Sequence, residues 1–163
     1  MSSPHYIIRR GAPADEDVVA ENTYKMWLDI GYSPESIVKD WREKTLDRLK
    51  VVKKDLKMAT FVAISVDDES NETVVGSAIV QLWDGLHAII LTPEAQLLGY
   101  IWGVYVDPPH RERGLAAKVT QACVDYCKEL GCTEVRLFAS DMGRSVYERI
   151  GFINGREMKF KFD

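Results

Sequence analysis

The most informative stretch of the chain is VYVDPPHRERGLA, residues 104–116. An apolar, β-branched run ends at Pro108 and Pro109, because proline cannot donate to a strand ladder. The chain then turns through basic residues and enters a helical pattern, with the small residues Gly114 and Ala116 at its start. The first amides of a helix have no partner inside it, and the helix dipole favours an anion there. We therefore expect this turn to bind a diphosphate.

The local charge supports an anion site. Arg111, Arg113 and Lys118 outnumber Glu112 in a chain whose formal net charge is -4. The alternative is an ordinary solvated turn between a strand and a helix. The glycine patterns of the P-loop and of the dinucleotide fingerprint are both missing here, so neither nucleotide motif explains the turn.

On both sides of this stretch, apolar periodicity predicts a chain of the α/β (α+β) class with a mixed central sheet flanked by helices. The predicted strands are 6–10, 58–66, 73–83, 99–106 and 134–139, with a final pair at 152 and 158–162 that turns at Asn154-Gly155. The predicted helices are 14–30, 34–56, 112–130 and 142–150. Gly76 indicates a bulge in its strand. The first helix is expected to carry Val19, Met26, Trp27 and Ile30 on one side.

Size and composition limit the function classes. With 163 residues and 18.5 kDa, residues 1–163 are expected to form a single domain with a folded surface of about 8,000 Å². The acidic balance argues against nucleic-acid binding, which needs a basic surface. The chain has no apolar run of 18 residues and no signal-like N-terminus, so we expect no membrane span and a cytoplasmic location. Cys123, Cys127 and Cys132 lack metal-ligand spacing and are expected to be core thiols, and no metal is implied.

Two motifs together resemble a known family. Arg111-x-x-Gly114-x-Ala116, preceded by Val106-x-Pro108, looks like the acetyl-CoA signature of the GNAT (GCN5-related N-acetyltransferase) superfamily. The later run with Ser140, Gly143 and VYERIGF (146–152) is similar to the second motif of that superfamily. The resemblance implies the GNAT acyl-CoA N-acyltransferase fold, with acetyl-CoA lodged where two parallel strands splay apart.

The resemblance also implies residue roles. The implied cofactor-binding residues are Val104, Tyr105, Val106, Arg111, Glu112, Arg113, Gly114, Leu115, Ala116, Ser140 and Tyr147. The amide of Val104 would stabilise charge on the thioester carbonyl oxygen. Tyr147 would act as the general acid toward the departing thiolate. The alternative for Tyr147 is packing on the core.

The sequence departs from the family pattern at the general base. Many members carry a glutamate on the strand six residues before the Val of Val-x-Pro, and that position is Tyr100 here. The loop residues Asp84, His87 and Glu94 are candidates for the base. A water chain is a further alternative, and an acceptor amine of low pKa would need no base.

Aromatic residues are expected to line the acceptor pocket. Strand parity places Tyr100, Trp102 and Val104 on one face, and the resemblance places Trp27 and Tyr32 at the wall of the same pocket. Aromatic walls hold cationic amines or stack on flat rings. Ordinary core packing is the alternative, above all for Trp27 and Trp102.

These observations predict an N-acetyltransferase that transfers an acetyl group from acetyl-CoA to a primary amine of a small molecule by direct attack. One alternative is a CoA-binding regulatory module without chemistry, and another is a protein N-terminal or lysine acetyltransferase. The final strands are able to supply a homodimer interface.

Overall fold

Five strands and four helices build the molecule, and the computed structural model describes residues 4–86 and 89–162. The strands are β1 (His5–Arg10), β2 (Ala59–Val66), β3 (Glu72–Leu82), β4 (Leu98–Val106) and β5 (Glu134–Leu137). The helices are α1 (Glu16–Ile30), α2 (Trp41–Asp55), α3 (Leu115–Glu129) and α4 (Arg144–Arg149). This arrangement confirms the predicted α/β class and the mixed sheet.

The sheet has the order β1-β2-β3-β4-β5. Its first four strands are antiparallel, whereas β4 and β5 are parallel and are connected through α3. The predicted bulge at Gly76 is confirmed, since Ala63 pairs with Gly76 and Ile64 pairs with Val74, which leaves Val75 as an extra residue. The parallel pair is the part of the sheet that forms the candidate site.

Helices cover both faces of the sheet. The buried residues Leu115, Val119, Cys123 and Cys127 place α3 on one face. On the other face, α1 and α2 enclose a second cluster that includes Val19, Leu49, Val52 and Ile79. Each amphipathic helix removes its apolar stripe from water against the sheet, which is the main stabilising contribution in this architecture.

The predicted apolar side of α1 is wrong in part. Its buried residues are Val19, Ala20, Asn22 and Thr23, while Trp27 and Ile30 are 44% and 42% exposed. The side chain of Asn22 donates to the Ser77 hydroxyl at 2.9 Å inside the core. This hydrogen bond satisfies a polar residue in a core-facing position, which apolar periodicity does not anticipate.

The single predicted helix 34–56 is also wrong. Pro34–Ser36 forms a short 3-10 turn, and Ile37 is extended with φ -104° and ψ 131°. The α-helix α2 begins only at Trp41, whose ring stacks on Tyr24 of α1 with centroids 4.4 Å apart. The β-branched pair at 37 and 38 disfavours a helix here, and the packing of Trp41 sets the new start.

The predicted final strand pair is wrong as well, because residues 151–162 belong to no strand. A strand needs a hydrogen-bonded neighbour, and none is present for this segment in the described part of the chain. Ile153, Met158, Phe160 and Phe162 are therefore between 82% and 95% exposed. The accessible surface is 11,047 Å², well above the expected value of about 8,000 Å² for a chain of this mass.

The cysteine prediction is confirmed for Cys123 and Cys127, which are free thiols buried in the core. Burial raises the pKa of Cys127 to about 12 and also raises the pKa of Cys123. Within the described residues, no helix is both long and apolar enough to cross a bilayer. In the same part of the chain, no three or more Cys, His, Asp or Glu side chains are grouped so that they could hold a metal ion.

Candidate active site

The two parallel strands separate from each other halfway along β4. The pairing runs from Leu98 with Glu134 to Ile101 with Leu137, where β5 ends. The second half of β4 continues to Val106 and has no neighbouring strand on that side in the described part of the chain, although the Val106 carbonyl accepts a hydrogen bond from Arg111 Nε. Backbone groups of residues 102–106 therefore face an open wedge. The wedge is the feature that the resemblance to acetyl-CoA-dependent proteins requires.

A bulge in β4 lies at the mouth of the wedge. Trp102 pairs with Ile79 and Tyr105 pairs with Ser77, so Gly103 and Val104 together oppose a single residue of β3. A bulge places one extra residue in a strand, and here Gly103 and Val104 share the bulge. Val104, whose amide the resemblance assigns to the thioester carbonyl oxygen, therefore lies in this irregular part of β4.

The bulge also corrects the predicted strand parity. Trp102 packs with the α1 and α2 cluster, whereas Val104 packs with the α3 cluster on the opposite face. Tyr100, Trp102 and Val104 therefore do not share one face. An extra residue in one strand reverses the alternation of side chains beyond it.

The turn after β4 exposes backbone amides. Pro108–His110 forms a 3-10 turn, and the amide of Arg111 donates to the Pro108 carbonyl at 3.3 Å. Glu112 and Gly114 both have positive φ, +61° and +73°. The first backbone bond of the following helix joins the Lys118 amide to the Gly114 carbonyl at 3.1 Å. The amides of residues 112–117 thus have no recorded backbone acceptor among the described residues, which leaves them free for an anion.

The space around this turn fits a diphosphate. A Cβ built on Gly114 would meet no atom within 4 Å. His110 shares a 2.9 Å hydrogen bond with the Tyr6 hydroxyl, and the Arg113 guanidinium lies 5.9 Å from the Tyr6 ring centroid. Together with the open edge of β4, these residues match the diphosphate and the pantetheine arm of the expected cofactor. Leu115 is buried in the core, so only its backbone is available for the predicted role.

The side chains of Arg111 and Tyr105 contact each other, which limits their predicted role in binding the cofactor. The Arg111 guanidinium lies against the Tyr105 ring and pairs with Asp29 of α1. The Arg111 amide is already bonded, as described above. Neither group of Arg111 is therefore free for the diphosphate in this arrangement, and Glu112 to Ala116 supply the free amides.

Tyr147 lies on α4, beside α3 and the core. Its ring centroid is 6.0 Å from that of Phe152. Burial, with a smaller contribution from the nearby Cys123 thiol, raises the pKa of Tyr147 to about 12. The hydroxyl is consequently protonated at neutral pH, as a proton donor must be. Ser140 accepts a 3.1 Å hydrogen bond from the Gly143 amide at the start of α4.

The predicted acceptor residues form two separate groups. Trp27 and the 52% exposed Tyr32 meet edge to face with centroids 5.2 Å apart. Tyr100 contacts the rings of Trp83 and Phe138. The indole N–H of Trp102 donates to the buried Gln81 side chain at 3.0 Å, which agrees with core packing.

The structure narrows the candidates for the general base. Burial, with the nearby carboxylates of Glu157 and Asp84, raises the pKa of Tyr100, so it is not a base at neutral pH. Asp84 is paired with Arg48 of α2. His87 lies outside the described residues, and Glu94 is exposed in the 3-10 turn Glu94–Gln96. Asp84 is thus already engaged in an ion pair, and Glu94 faces solvent.

Sequence reasoning missed two features of this site. One is Gly103, although a glycine inside a predicted strand is a recognised signal for a bulge. The other is the pair of α1 residues Lys25 and Asp29, which bind Asp107 and Arg111. Opposite charges four residues apart were visible in the sequence, but their partners across the fold were not.

Comparisons with known proteins agree with this geometry. A model of the acetyltransferase (GNAT) family matches residues 20–152. A curated glucosamine 6-phosphate N-acetyltransferase of Arabidopsis thaliana is 38% identical over 56 residues, which are 34% of this chain and 38% of that protein. The matched segment thus spans well under half of that relative.

Two solved structures share the fold along nearly the whole chain. A predicted acetyltransferase of Clostridium acetobutylicum with acetyl-CoA is similar with a TM-score of 0.76 and 21% identity, covering 97% of this chain and 96% of that one. An aminoglycoside N-acetyltransferase in complex with CoA is similar with a TM-score of 0.70 and 17% sequence identity, and the match covers 99% of this chain and 97% of that one.

Proposed function

The chain belongs to the acetyltransferase (GNAT) family, and on that premise we propose that it transfers an acetyl group from acetyl-CoA to a primary amine of a small molecule. The observation that carries this proposal is the open wedge between β4 and β5, which leads to the free amides of residues 112–116. Parallel strands in open α/β sheets bind ligands beyond their carboxyl ends, and the wedge lies at the carboxyl end of the one parallel pair among the described strands, β4 and β5. The acetyl group would pass directly to the amine, without a covalent intermediate on the protein.

The backbone of this chain would hold most of the cofactor. The peptide groups of Val104, Tyr105 and Val106 border the wedge and would bond the pantetheine arm, and the Ser140 hydroxyl would donate a hydrogen bond to it while accepting one from the Gly143 amide. The amides of Glu112, Arg113, Gly114, Leu115 and Ala116 would bind the diphosphate, aided by the dipole of α3. Acetyl-CoA supplies the activated acyl group of a thioester.

Two groups of the chain would assist the transfer. The Val104 amide, in the bulge, would donate a hydrogen bond to the thioester carbonyl oxygen, where negative charge develops. A single donor of this type contributes about 3 kcal/mol to transition-state stabilisation. The Tyr147 hydroxyl, which is protonated at neutral pH, would donate a proton or a hydrogen bond to the thiolate that leaves.

The acceptor side supports a small amine. Trp27 and Tyr32 are about half exposed and form a ring pair, which suits contact with an ammonium group or a flat ring. The relatives compared above are named for glucosamine 6-phosphate and for aminoglycosides, both small amines. Proton removal from the amine would use a loop residue or a water chain, or would be unnecessary for an amine of low pKa.

Substitution of Tyr147 tests the proposal. We expect Y147F to lower kcat by about 100-fold, because general acid catalysis contributes about 10²- to 10⁴-fold, while the Kd for CoA stays within about 3-fold. Y126F is the matched control, since the Tyr126 hydroxyl on α3 donates to the Lys57 carbonyl away from the wedge. A normal kcat for Y147F on the best amine of a broad panel would contradict the role of Tyr147.

A second candidate function is a CoA-responsive binding module that carries out no transfer. Tyr100 favours it, because a protonated phenol stands where a base is expected. The panel of amines, extended to a lysine-containing peptide, separates the candidates by thiol release. Tight CoA binding without turnover of any amine would support the module, and turnover of the peptide alone would support protein acetylation.

The other expectations remain predictions. Residues 1–163 are proposed to act as a single acetyltransferase domain in the cytoplasm. A homodimer is also proposed, and its support is the exposed apolar segment 152–162 described above.

A further inference from the structure

Four charged side chains surround the ring of Tyr105, where β4 ends. Lys25 and Asp29 come from successive turns of α1. The Lys25 Nζ lies 3.6 Å from Asp107 Oδ1, and the Arg111 Nη2 lies 2.5 Å from Asp29 Oδ2. Both cations also lie over the Tyr105 ring. The distance to the ring centroid is 6.0 Å from Lys25 Nζ and 5.5 Å from Arg111 Cζ. The network therefore connects α1 to the start of the turn that has the free amides.

Arg111 is held at three points. Its Nε donates to the Val106 carbonyl at 2.8 Å, its Nη2 contacts Asp29, and its guanidinium lies against Tyr105. A planar guanidinium fixed by two hydrogen bonds and an aromatic ring has one geometry. Arg111 therefore orients the first residues of the turn, although the same residue looks like a phosphate-binding cation in the sequence.

The other end of this contact lies beside the acceptor aromatics. Asp29 is two residues after Trp27 and three before Tyr32, in the last turn of α1, which ends at Gly31 with φ +111°. About one third of each side chain in the Asp29–Arg111 pair is exposed. The pair is thus partly shielded from water, which strengthens it relative to a fully exposed ion pair.

We propose that Asp29 and Arg111 are positioning residues that couple the cofactor turn to the acceptor wall formed by Trp27 and Tyr32. A cofactor that orders the turn would, through this pair, order the last turn of α1, and an acceptor on α1 would tighten cofactor binding in return. The inference rests on the proposed function, because it requires that CoA binds at the turn.

The test uses CoA itself and needs no known acceptor. Hydrogen exchange of residues 26–32 is measured with and without saturating CoA in the wild type, D29N, R111Q and the double variant. We expect CoA to slow this exchange in the wild type by about 5-fold, the lower end of common coupling factors, and to leave it unchanged in D29N. In the same proteins, calorimetry gives the Kd for CoA.

The affinities separate positioning from a general loss of stability. Each single variant is expected to weaken CoA binding by about 10-fold. Without the Asp29–Arg111 pair the cofactor turn is less ordered, and CoA binding must then bear the entropic cost of ordering it. The double variant should bind CoA no more weakly than R111Q, since R111Q already removes the interaction that D29N removes. E21Q is the matched control, as Glu21 is also on α1 but pairs with Arg42 of α2, and it should leave both the Kd and the exchange unchanged.

The outcomes are distinct. Wild-type protein that does not bind CoA overturns the proposed function and this inference with it. Wild-type protein that binds CoA without any change of exchange at residues 26–32 overturns the coupling alone. The coupling alone is also overturned if CoA still slows the exchange of residues 26–32 in D29N, or if the losses of CoA affinity in D29N and R111Q add in the double variant.

Discussion

Glu112 has two unfavourable properties at the turn. Its φ of +61° is unusual for a residue with a side chain, and such a conformation costs about 1–2 kcal/mol. Its carboxylate is exposed next to the amides that would bind a diphosphate. Like charges at this distance repel, which weakens binding. The affinity of this turn for CoA is therefore expected to lie below what its backbone alone allows.

We expect E112G to bind CoA about 5- to 10-fold more tightly, since it removes the repelling charge, and to have a higher free energy of unfolding, since glycine removes the cost of the positive φ. Calorimetric titration with CoA measures the first change, and urea unfolding measures the second. E112Q removes only the charge and should gain affinity without the gain in stability. Weaker binding of CoA by E112G than by the wild type would contradict this account of the turn.

Asp15 is a buried carboxylate at the junction of β1 and α1. It accepts hydrogen bonds from Arg9 at 2.7 and 3.2 Å and from the Ala12 amide at 2.7 Å. The Arg9 hydrogen bond lowers the pKa of Asp15, and burial opposes this shift only in part. Because the folded-state pKa lies below the unfolded value, the contribution of Asp15 to stability is present above about pH 4 and is lost as the pH falls through the folded pKa.

Thermal unfolding between pH 3 and pH 7 tests this dependence. D15N should lower the free energy of unfolding at pH 7 by about 2 kcal/mol, in the range for hydrogen bonds to charged groups, and should lose stability less steeply toward pH 3 than the wild type. D17N is the control in the same turn, because the Asp17 side chain is 77% exposed. Equal acid sensitivity of D15N and wild type would rule out Asp15 as the titrating group.

At the scale of elements, the bulge in β4 sets the shape of the wedge. Gly103 has φ +63°, and a Cβ there would lie 3.1 Å from Ile79 Cδ1 and 3.2 Å from Thr23 Oγ1. Both contacts are closer than ordinary packing distances. A side chain at 103 would thus strain the backbone and push against β3 and α1 together.

G103A is therefore expected to lower stability by about 1–3 kcal/mol and to weaken CoA binding by about 10-fold, because the bulge that places Val104 would shift. Urea unfolding and calorimetry measure the two effects. G155A is the matched control, since its added Cβ would meet nothing within 4 Å. If G103A retained wild-type affinity for CoA, the bulge would not be what shapes the wedge.

At the level of the whole molecule, the C-terminal segment leaves its apolar side chains exposed in a single chain. Phe160 and Phe162 are 82% and 90% exposed and alternate with lysines, and their rings contact each other at 5.3 Å between centroids. This alternation is typical of a strand with one apolar face. β5 ends the sheet order, so its outer edge is a free site for strand addition.

We expect the wild type to sediment as a dimer of about twice 18.5 kDa, with the C-terminal segments in the interface, because such an exposed apolar segment is unfavourable in a lone chain. F160S/F162S should sediment as a monomer at the same micromolar concentration. K159S/K161S is the control, since it changes the polar side of the same segment. A monomeric wild type with slow hydrogen exchange at residues 158–162 would show that the segment packs within its own chain instead.

Much of the molecule follows from local sequence. The order of strands and helices through α4, the bulge at Gly76 and the turn at residues 107–114 were predictable, because proline, glycine and apolar periodicity act on near neighbours. The helix that starts at Trp41 and the unpaired C-terminal segment were not, since distant packing and strand partners determine both.

The chemistry of the site divides in the same way. The spacing of Arg111, Gly114 and Ala116 was enough to predict a cofactor turn, whereas the roles of Tyr147 as an acid and of Trp27 and Tyr32 as an acceptor wall came from the family resemblance and stay predictions. Only the tertiary structure decided that β4 parts from β5 after Ile101, that the bulge turns Val104 away from the face of Trp102, and that Arg111 is held by Asp29. These three features are contacts between segments far apart in sequence, and the free energy of such contacts depends on the folded geometry rather than on local pattern.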